Sequence, residues 1–323
     1  IKLDGISYGF WVPEVDLNKV YNLSFNYPTS IVFGNPIKIS SWSITTKDNL
    51  TEIRGLNFVD TSSVTDMSWM FGFCSKLTSL DLSGWNASNV TDMSYMFSNC
   101  KALTSLNLSG WNVSNVTNMS GMFDYCGSIQ QLNLSGWDVS KVTNMGHMFS
   151  SCSSIQQLDL SGWVVSNMTD MNHMFYLCRA LRQLNLSGWD TSKVTNMSSM
   201  FSSCGSLASL NLSGWDTSKV TNMGNMFDYC GSLTSLDLSS WDVSNVTNMG
   251  SMFCYCGSLR QLNLSGWDVS NVTGMGYMFK ECNSLTSLDG LSGWDTSKVT
   301  NMGNMFGGCS SLTSLDLSSW DVS

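Results

Sequence analysis

The chain has 323 residues, 42% of them hydrophobic and only 12% charged, and it carries a net charge of -9. This surplus of carboxylates leaves no basic stripe to neutralise phosphates, which argues against nucleic acid as a partner and against adsorption to anionic membranes. Its apolar runs fall short of the roughly 20 residues that span a bilayer, and no basic-then-apolar signal segment opens it, so no membrane insertion is expected in this segment.

Residues 1–46 stand outside any repeat. Residues 21–25 and 30–33 read as two strands around a turn that contains Pro28. An uncovered first coil would expose core leucines and strand edges, so the segment is expected to be a β-rich N-terminal cap, with Trp11 and Trp42 covering that end. The other reading, an independent ligand-binding domain, suffers from the small size of the segment.

From about residue 50 the chain repeats itself. Met-Phe pairs place Phe71, Phe97, Phe123, Phe149, Phe175, Phe201, Phe227, Phe253 and Phe279 at intervals of 26 residues, and Phe306 follows after 27. The longer interval holds an insertion at Leu288-Asp289-Gly290-Leu291, which matches Ile53-Arg54-Gly55-Leu56 in a degenerate leading unit. One unit cannot bury its own leucines, so 47–323 is expected to be a solenoid of about ten to eleven coils. The chain starts at Ile1 without Met and stops at Ser323 partway through a unit, which fits a trimmed or continuing protein.

Within a unit the periodicity changes. Leu106 and Leu108 alternate about Asn107 as in a short strand with inward leucines, and Gly110 permits a bend before Trp111. Met119, Met122, Phe123 and Cys126 fall at i, i+3, i+4 and i+7, which predicts a two-turn helix capped by Thr117 or Asn118 and ended by a left-handed Gly127. The fold class is therefore an α/β repeat solenoid, leucine-rich-repeat-like, with one short strand and one short helix per 26-residue coil.

The motif M-F-x-x-C-x-x-L, followed by L-[DN]-L-S-G-W-D, resembles the BspA-like leucine-rich-repeat surface proteins over about residues 50–323. That resemblance implies a secreted or surface-anchored protein of the adhesin type, in an extracellular or cell-surface location. Relatives mostly carry Phe where this chain has Trp85 and Trp111, a departure expected to alter core volume more than chemistry.

Repeated columns invite functional readings, each beside a plainer one. The Cys74 to Cys309 column reads as buried free thiols, with coil-to-coil disulfides and metal less favoured, and Cys254, outside the column, as an exposed thiol. His147 and His173 share a column of variable occupants, which marks a surface position more than a metal pair. Asp138, Asp190, Asp216, Asp242, Asp268, Asp295 and Asp321 follow the tryptophans and read as Asx turns ahead of a calcium ladder. The columns through Asn107 and Asn118 suggest hydrogen-bond ladders between coils. Sequons at Asn89, Asn107, Asn115, Asn167, Asn196, Asn211, Asn245 and Asn271 would be glycosylation sites in a eukaryote.

No converging cluster of unlike polar groups marks an enzyme, so no catalytic residue, cofactor or metal is assigned. The favoured function is adhesion or protein or glycan binding through the repeat surface, with a host or matrix protein or a glycan as partner. Candidate ligand contacts are Gln130, Gln156, Arg182, Gln183 and Arg260 on the outer strand face, with His147, His173 and Tyr277 on a second face. The alternative is a structural subunit that associates head-to-tail into a surface filament or matrix.

Overall fold

The computed structural model describes residues 2–4, 10–12, 16, 18–45 and 47–321. The side chain of Trp11, expected to cover the first coil, lies outside the described set. The chain forms two compact units, Ile1–Ile155 and Gln156–Ser323. Both are built of β-solenoid turns, about twelve in all.

The first unit opens with strands β1 (Lys2–Asp4), β2 (Phe10–Val12), β3 (Val20–Asn26), β4 (Ser30–Phe33), β5 (Ile37–Thr45), β6 (Glu52–Arg54) and β7 (Val59–Asp60). They make two parallel sheets, in the orders β1-β3-β5-β7 and β2-β4-β6. The two expected strands, β3 and β4, are present but do not pair with each other. Each runs parallel to a strand further along the chain, with Phe25 opposite Ile44 and Ile31 opposite Ile53. Alternation buries Leu23, Phe25, Ile31 and Phe33. Trp42 packs on Phe25, Phe33 and Phe71 at ring separations of 5.2, 5.5 and 5.9 Å.

Later in the same unit, β8 (Ser105–Asn107) pairs with β9 (Gln131–Asn133), Leu106 opposite Leu132. The second unit repeats this with β10 (Gln157–Asp159) on β11 (Gln183–Asn185) and β12 (Gln261–Asn263) on β13 (Ser287–Asp289). In both units a second line of parallel bridges runs through the Asp66 and Asn118 column, for example Asp92 to Asn118 and Asn196 to Asn222.

The expected short helix is not there. Among the described residues the only helical pieces are three 3-10 turns, Lys47–Asn49, Leu56–Phe58 and Leu291–Gly293. Met119, Met122, Phe123 and Cys126 are fully buried as their spacing predicts, but the backbone reaches that pattern by another route. The Met122 N–H donates to the Met119 carbonyl and the Cys126 N–H to Phe123, so two four-residue turns follow one another. Gly121 and Tyr125, third in those turns, have φ of 59° and 57°, the sign a type II turn needs there. Meanwhile Met119, Gly121, Phe123 and Tyr125 donate their N–H groups to the next coil, at Asn144, Gly146, Met148 and Ser150. An α-helix would spend those donors within the segment; stacking supplies carbonyls across the coil boundary instead.

The helix-end roles fall with the helix. Asn118 Oδ1 accepts from the Ser120 N–H two residues on, an Asx turn, and the left-handed residue is Tyr125, not Gly127. The paired insertions do match in three dimensions. Gly55 (φ 75°) and Gly290 (φ 96°) each precede a 3-10 turn, and a Cβ on either would lie within 2.4 Å of a neighbouring backbone atom.

The core is layered by residue type. In the first unit, Phe71, Phe97, Phe123 and Phe149 stack at 5.6 to 5.8 Å; in the second, Phe201, Phe227, Phe253, Phe279 and Phe306 stack at 5.6 Å. The tryptophans do more than fill volume. Trp85 Nε1 donates to the Leu56 carbonyl at 3.1 Å, and Trp189 Nε1 donates to Leu160 at 2.9 Å. This corrects the expectation that Trp in place of Phe changes size alone, because Phe has no donor for that carbonyl.

Candidate functional site

Among the described residues, the outer strand face of the second unit forms a surface groove. An open groove of about 610 Å³ is lined by Thr234, Ser235, Arg260, Gln261, Ser284, Thr286 and Ser311. These come from successive coils at matching positions, held by parallel pairing of Gln261 with Ser287 and a bridge from Ser235 to Gln261. Alternation sends Leu262 into the core and leaves Arg260 and Gln261 exposed. Thr286 donates its N–H and hydroxyl to the Arg260 carbonyl at 3.0 and 3.1 Å, which fixes the floor on which the guanidinium stands. The rim therefore offers hydroxyls, an amide and one guanidinium, a set of donors and acceptors with a single positive charge.

Of the strand-face residues expected from sequence, Gln156, Arg182 and Gln183 are gathered at another part of the second unit. Arg182 N–H donates to the Gln156 carbonyl at 2.9 Å, and all three side chains are exposed. Arg260 lines the groove, whereas Gln130 is an exposed residue of the first unit. His173 and Tyr277 of the second unit and His147 of the first lie in the turn segments, at left-handed positions with φ of 54°, 61° and 60°. His147 and His173 are half-buried, so the column is not simply a surface one.

Sequence reading missed the aromatic character of these turns. In the first unit Trp69 stacks on Tyr95 at 4.4 Å, and Trp69, Phe73 and Tyr125 are each more than 40% exposed. The second unit has Tyr229 stacked on Tyr255 at 4.3 Å, with Lys280 Nζ 5.4 Å from the ring centres of Tyr255 and Tyr277. The available signal was large aromatics recurring in two columns that elsewhere hold Gly, Ser, Asn and a few other residues, His147, His173, Leu177 and Glu281 among them.

The cysteines are free thiols, and those of the column from Cys74 to Cys282 are buried. The Sγ atoms of Cys100, Cys126, Cys152, Cys204, Cys230, Cys256 and Cys282 donate to the Phe carbonyl of the preceding coil, as from Cys126 to Phe97 at 3.1 Å, and burial pushes the Cys126 thiol far above its ordinary range. Cys254, expected to be exposed, is buried at 6% exposure. Its thiol interacts with Asp228, whose carboxyl burial raises to about 6.

The Asp column forms Asx turns, with Asp138 Oδ1 accepting from the Ser140 N–H at 3.0 Å. Asn118 does reach between coils, Nδ2 to Asp92 Oδ2 at 3.2 Å, whereas Asn107 serves its own coil by accepting from the Ser109 N–H and hydroxyl. Several sequon side chains are engaged: Asn89, Asn115, Asn245 and Asn271 donate to Ser carbonyls of the preceding coil at 2.7 to 2.8 Å. Asn167 accepts from Lys193, and Asn196 and Asn211 accept from Ser198 and Ser213.

The chain is matched by the family model described as "Mycoplasma protein of unknown function, DUF285", over residues 51–111, 104–209, 179–287 and 258–323. Among curated proteins nothing matches it. Its structure is similar to a leucine-rich repeat protein from Bacteroides ovatus, with 17% identity and a TM-score of 0.53, covering 89% of this chain and 66% of that one. A leucine-rich cell surface protein from Faecalibacterium prausnitzii is 19% identical with a TM-score of 0.49, covering 96% of this chain and 87% of that one. The chain thus spans less than two thirds of the Bacteroides protein, and at that identity the likeness is one of fold.

Proposed function

The chain belongs to the DUF285 family, and from that premise we propose that it is a non-enzymatic surface protein of the BspA-like kind that binds a glycan or protein ligand outside the cell. The observation that carries this reading is the groove around Arg260 and Gln261. Its groups come from a rigid, hydrogen-bonded strand face, so little ordering is needed when a ligand arrives. Hydroxyls and amide suit a hydroxyl-rich or backbone-presenting ligand, and the guanidinium selects for a carboxylate on it. Gln156, Arg182 and Gln183 extend the same chemistry along the strand face of the second unit. Residues 1–46 serve as the N-terminal cap of the repeat, a role that the packing of Trp42 on Phe71 supports.

The test is an array of glycans and matrix proteins probed with the intact chain and with Arg260→Ala. Binding to a carboxylate-bearing glycan or an acidic protein, weakened in the variant, is the expected result. Silence across the array, with long rods in electron micrographs, would replace this reading by end-to-end assembly.

A further inference from the structure

We propose that Trp69, Phe73 and Tyr95 of the first unit form a receptor for a lysine or arginine side chain of a basic protein partner. This site is separate from the strand-face groove and does not rest on it.

The three rings are parallel. Trp69 lies 4.4 Å from Tyr95 at 7° and 5.5 Å from Phe73 at 5°, and Trp69 and Phe73 are 41% and 49% exposed. By contrast Trp85, Trp111 and Trp137 of the same unit are at most 5% exposed and serve the core. Backbone geometry does not call for aromatics here. Trp69, Phe73 and Tyr95 have φ of 55°, 65° and 55°, a region that bulky side chains enter at a cost. The matching positions of neighbouring coils hold Gly121, Asn99 and Ser151, which keep the same turn. An exposed aromatic cluster at positions where small residues suffice points to a partner.

The chain itself indicates the chemistry. In the second unit the same two columns hold Tyr277 and Tyr255, and Lys280 places its ammonium 5.4 Å from both ring centres. That is the range in which an aromatic quadrupole attracts a cation. In the first unit the positions that correspond to Lys280 are Gly72 and Ser98, so the coil supplies no ammonium of its own there. Lys47 is nearby, but its ammonium donates to the Trp69 and Met70 carbonyls. The segment that carries the cluster is acidic: between residues 47 and 95, Asp48, Glu52, Asp60, Asp66, Asp81 and Asp92 outnumber Lys47, Arg54 and Lys76, in a chain of net charge -9, so long-range attraction favours a cationic partner.

The experiment titrates the intact chain with an oligolysine peptide and with its fully acetylated counterpart at constant ionic strength, following the indole N–H resonances by NMR. The variants are Trp69→Asn and Phe73→Ser, because Asn and Ser occupy these columns elsewhere and their unfolding midpoints verify the fold. The charged peptide should move the Trp69 resonance, the acetylated one should not, and each variant should bind roughly fivefold to thirtyfold more weakly. Arg260→Ala should bind the peptide like wild type, which separates this site from the groove. Equal binding of the acetylated peptide, unchanged affinity in both aromatic variants, or a stationary Trp69 resonance would overturn the proposal.

Discussion

The indole N–H of Trp137 donates to the carbonyl of Leu108, 3.1 Å away in the preceding coil. That carbonyl also accepts the Trp111 N–H at 3.1 Å, so one oxygen closes a turn in its own coil and pins the next coil to it. Trp137→Phe keeps a large ring but removes the pin. It should lower stability by about 1–2 kcal/mol, read as a shift in the urea midpoint. An unchanged midpoint would mean that the tryptophans contribute volume only.

The same segment that suggested a helix yields a spectroscopic test. With the N–H groups of Met119, Gly121, Phe123 and Tyr125 given to the next coil, the far-ultraviolet circular dichroism should show turn and strand signals without the helical double minimum. A strong helical spectrum would contradict the turn-built coil.

Thiol accessibility distinguishes burial from exposure at Cys254. A soluble disulfide reagent should modify the native chain only at Cys309, the one cysteine that is half-exposed, and all eleven cysteines in denaturant. Rapid native modification at Cys254 would place that side chain outside after all.

Asp228 makes stability depend on pH. Burial raises its carboxyl from 3.8 to about 6, so the folded chain keeps a proton through a window in which the unfolded chain has released it. The contribution of this group is therefore most favourable below about pH 4 and is lost as pH rises through about 6. Asp228→Asn should be more stable than wild type at neutral pH, by about 1 kcal/mol after discounting for partial solvent exposure, and equal to it near pH 4. Matched urea midpoints at the two pH values check the sign.

Much of the coil was legible because burial imposes period. Leu106 and Leu108 alternated as a strand must, and Met119, Met122, Phe123 and Cys126 declared one buried face. Helix was the wrong inference because two successive four-residue turns bury the same positions as two helical turns. Nothing local marks Tyr125 as left-handed, since bulky side chains seldom are. Cys254 misled for a related reason: its column mates Asp228 and Lys280 are polar, but Asp228 is itself partly buried and lies beside the thiol. At the groove, Arg260 stood out as an unlike residue, whereas Ser284 and Ser311 are unremarkable in so serine-rich a repeat and belong to the site only through stacking. Trp69 shares the column of His147 and His173, read from sequence as a surface position, but its stacking on Tyr95 and the exposure of Phe73 follow from turn geometry that sequence does not display.

The binding role is tested most directly by the affinity of an array-identified ligand for the intact chain and for the double variant Arg260→Ala, Gln261→Ala. Both side chains are exposed, so the variant should fold as wild type does. A loss of roughly tenfold or more in affinity is the expected result, from one charge-assisted and one neutral hydrogen bond removed. Identical affinity in wild type and variant would contradict a ligand site on this strand face.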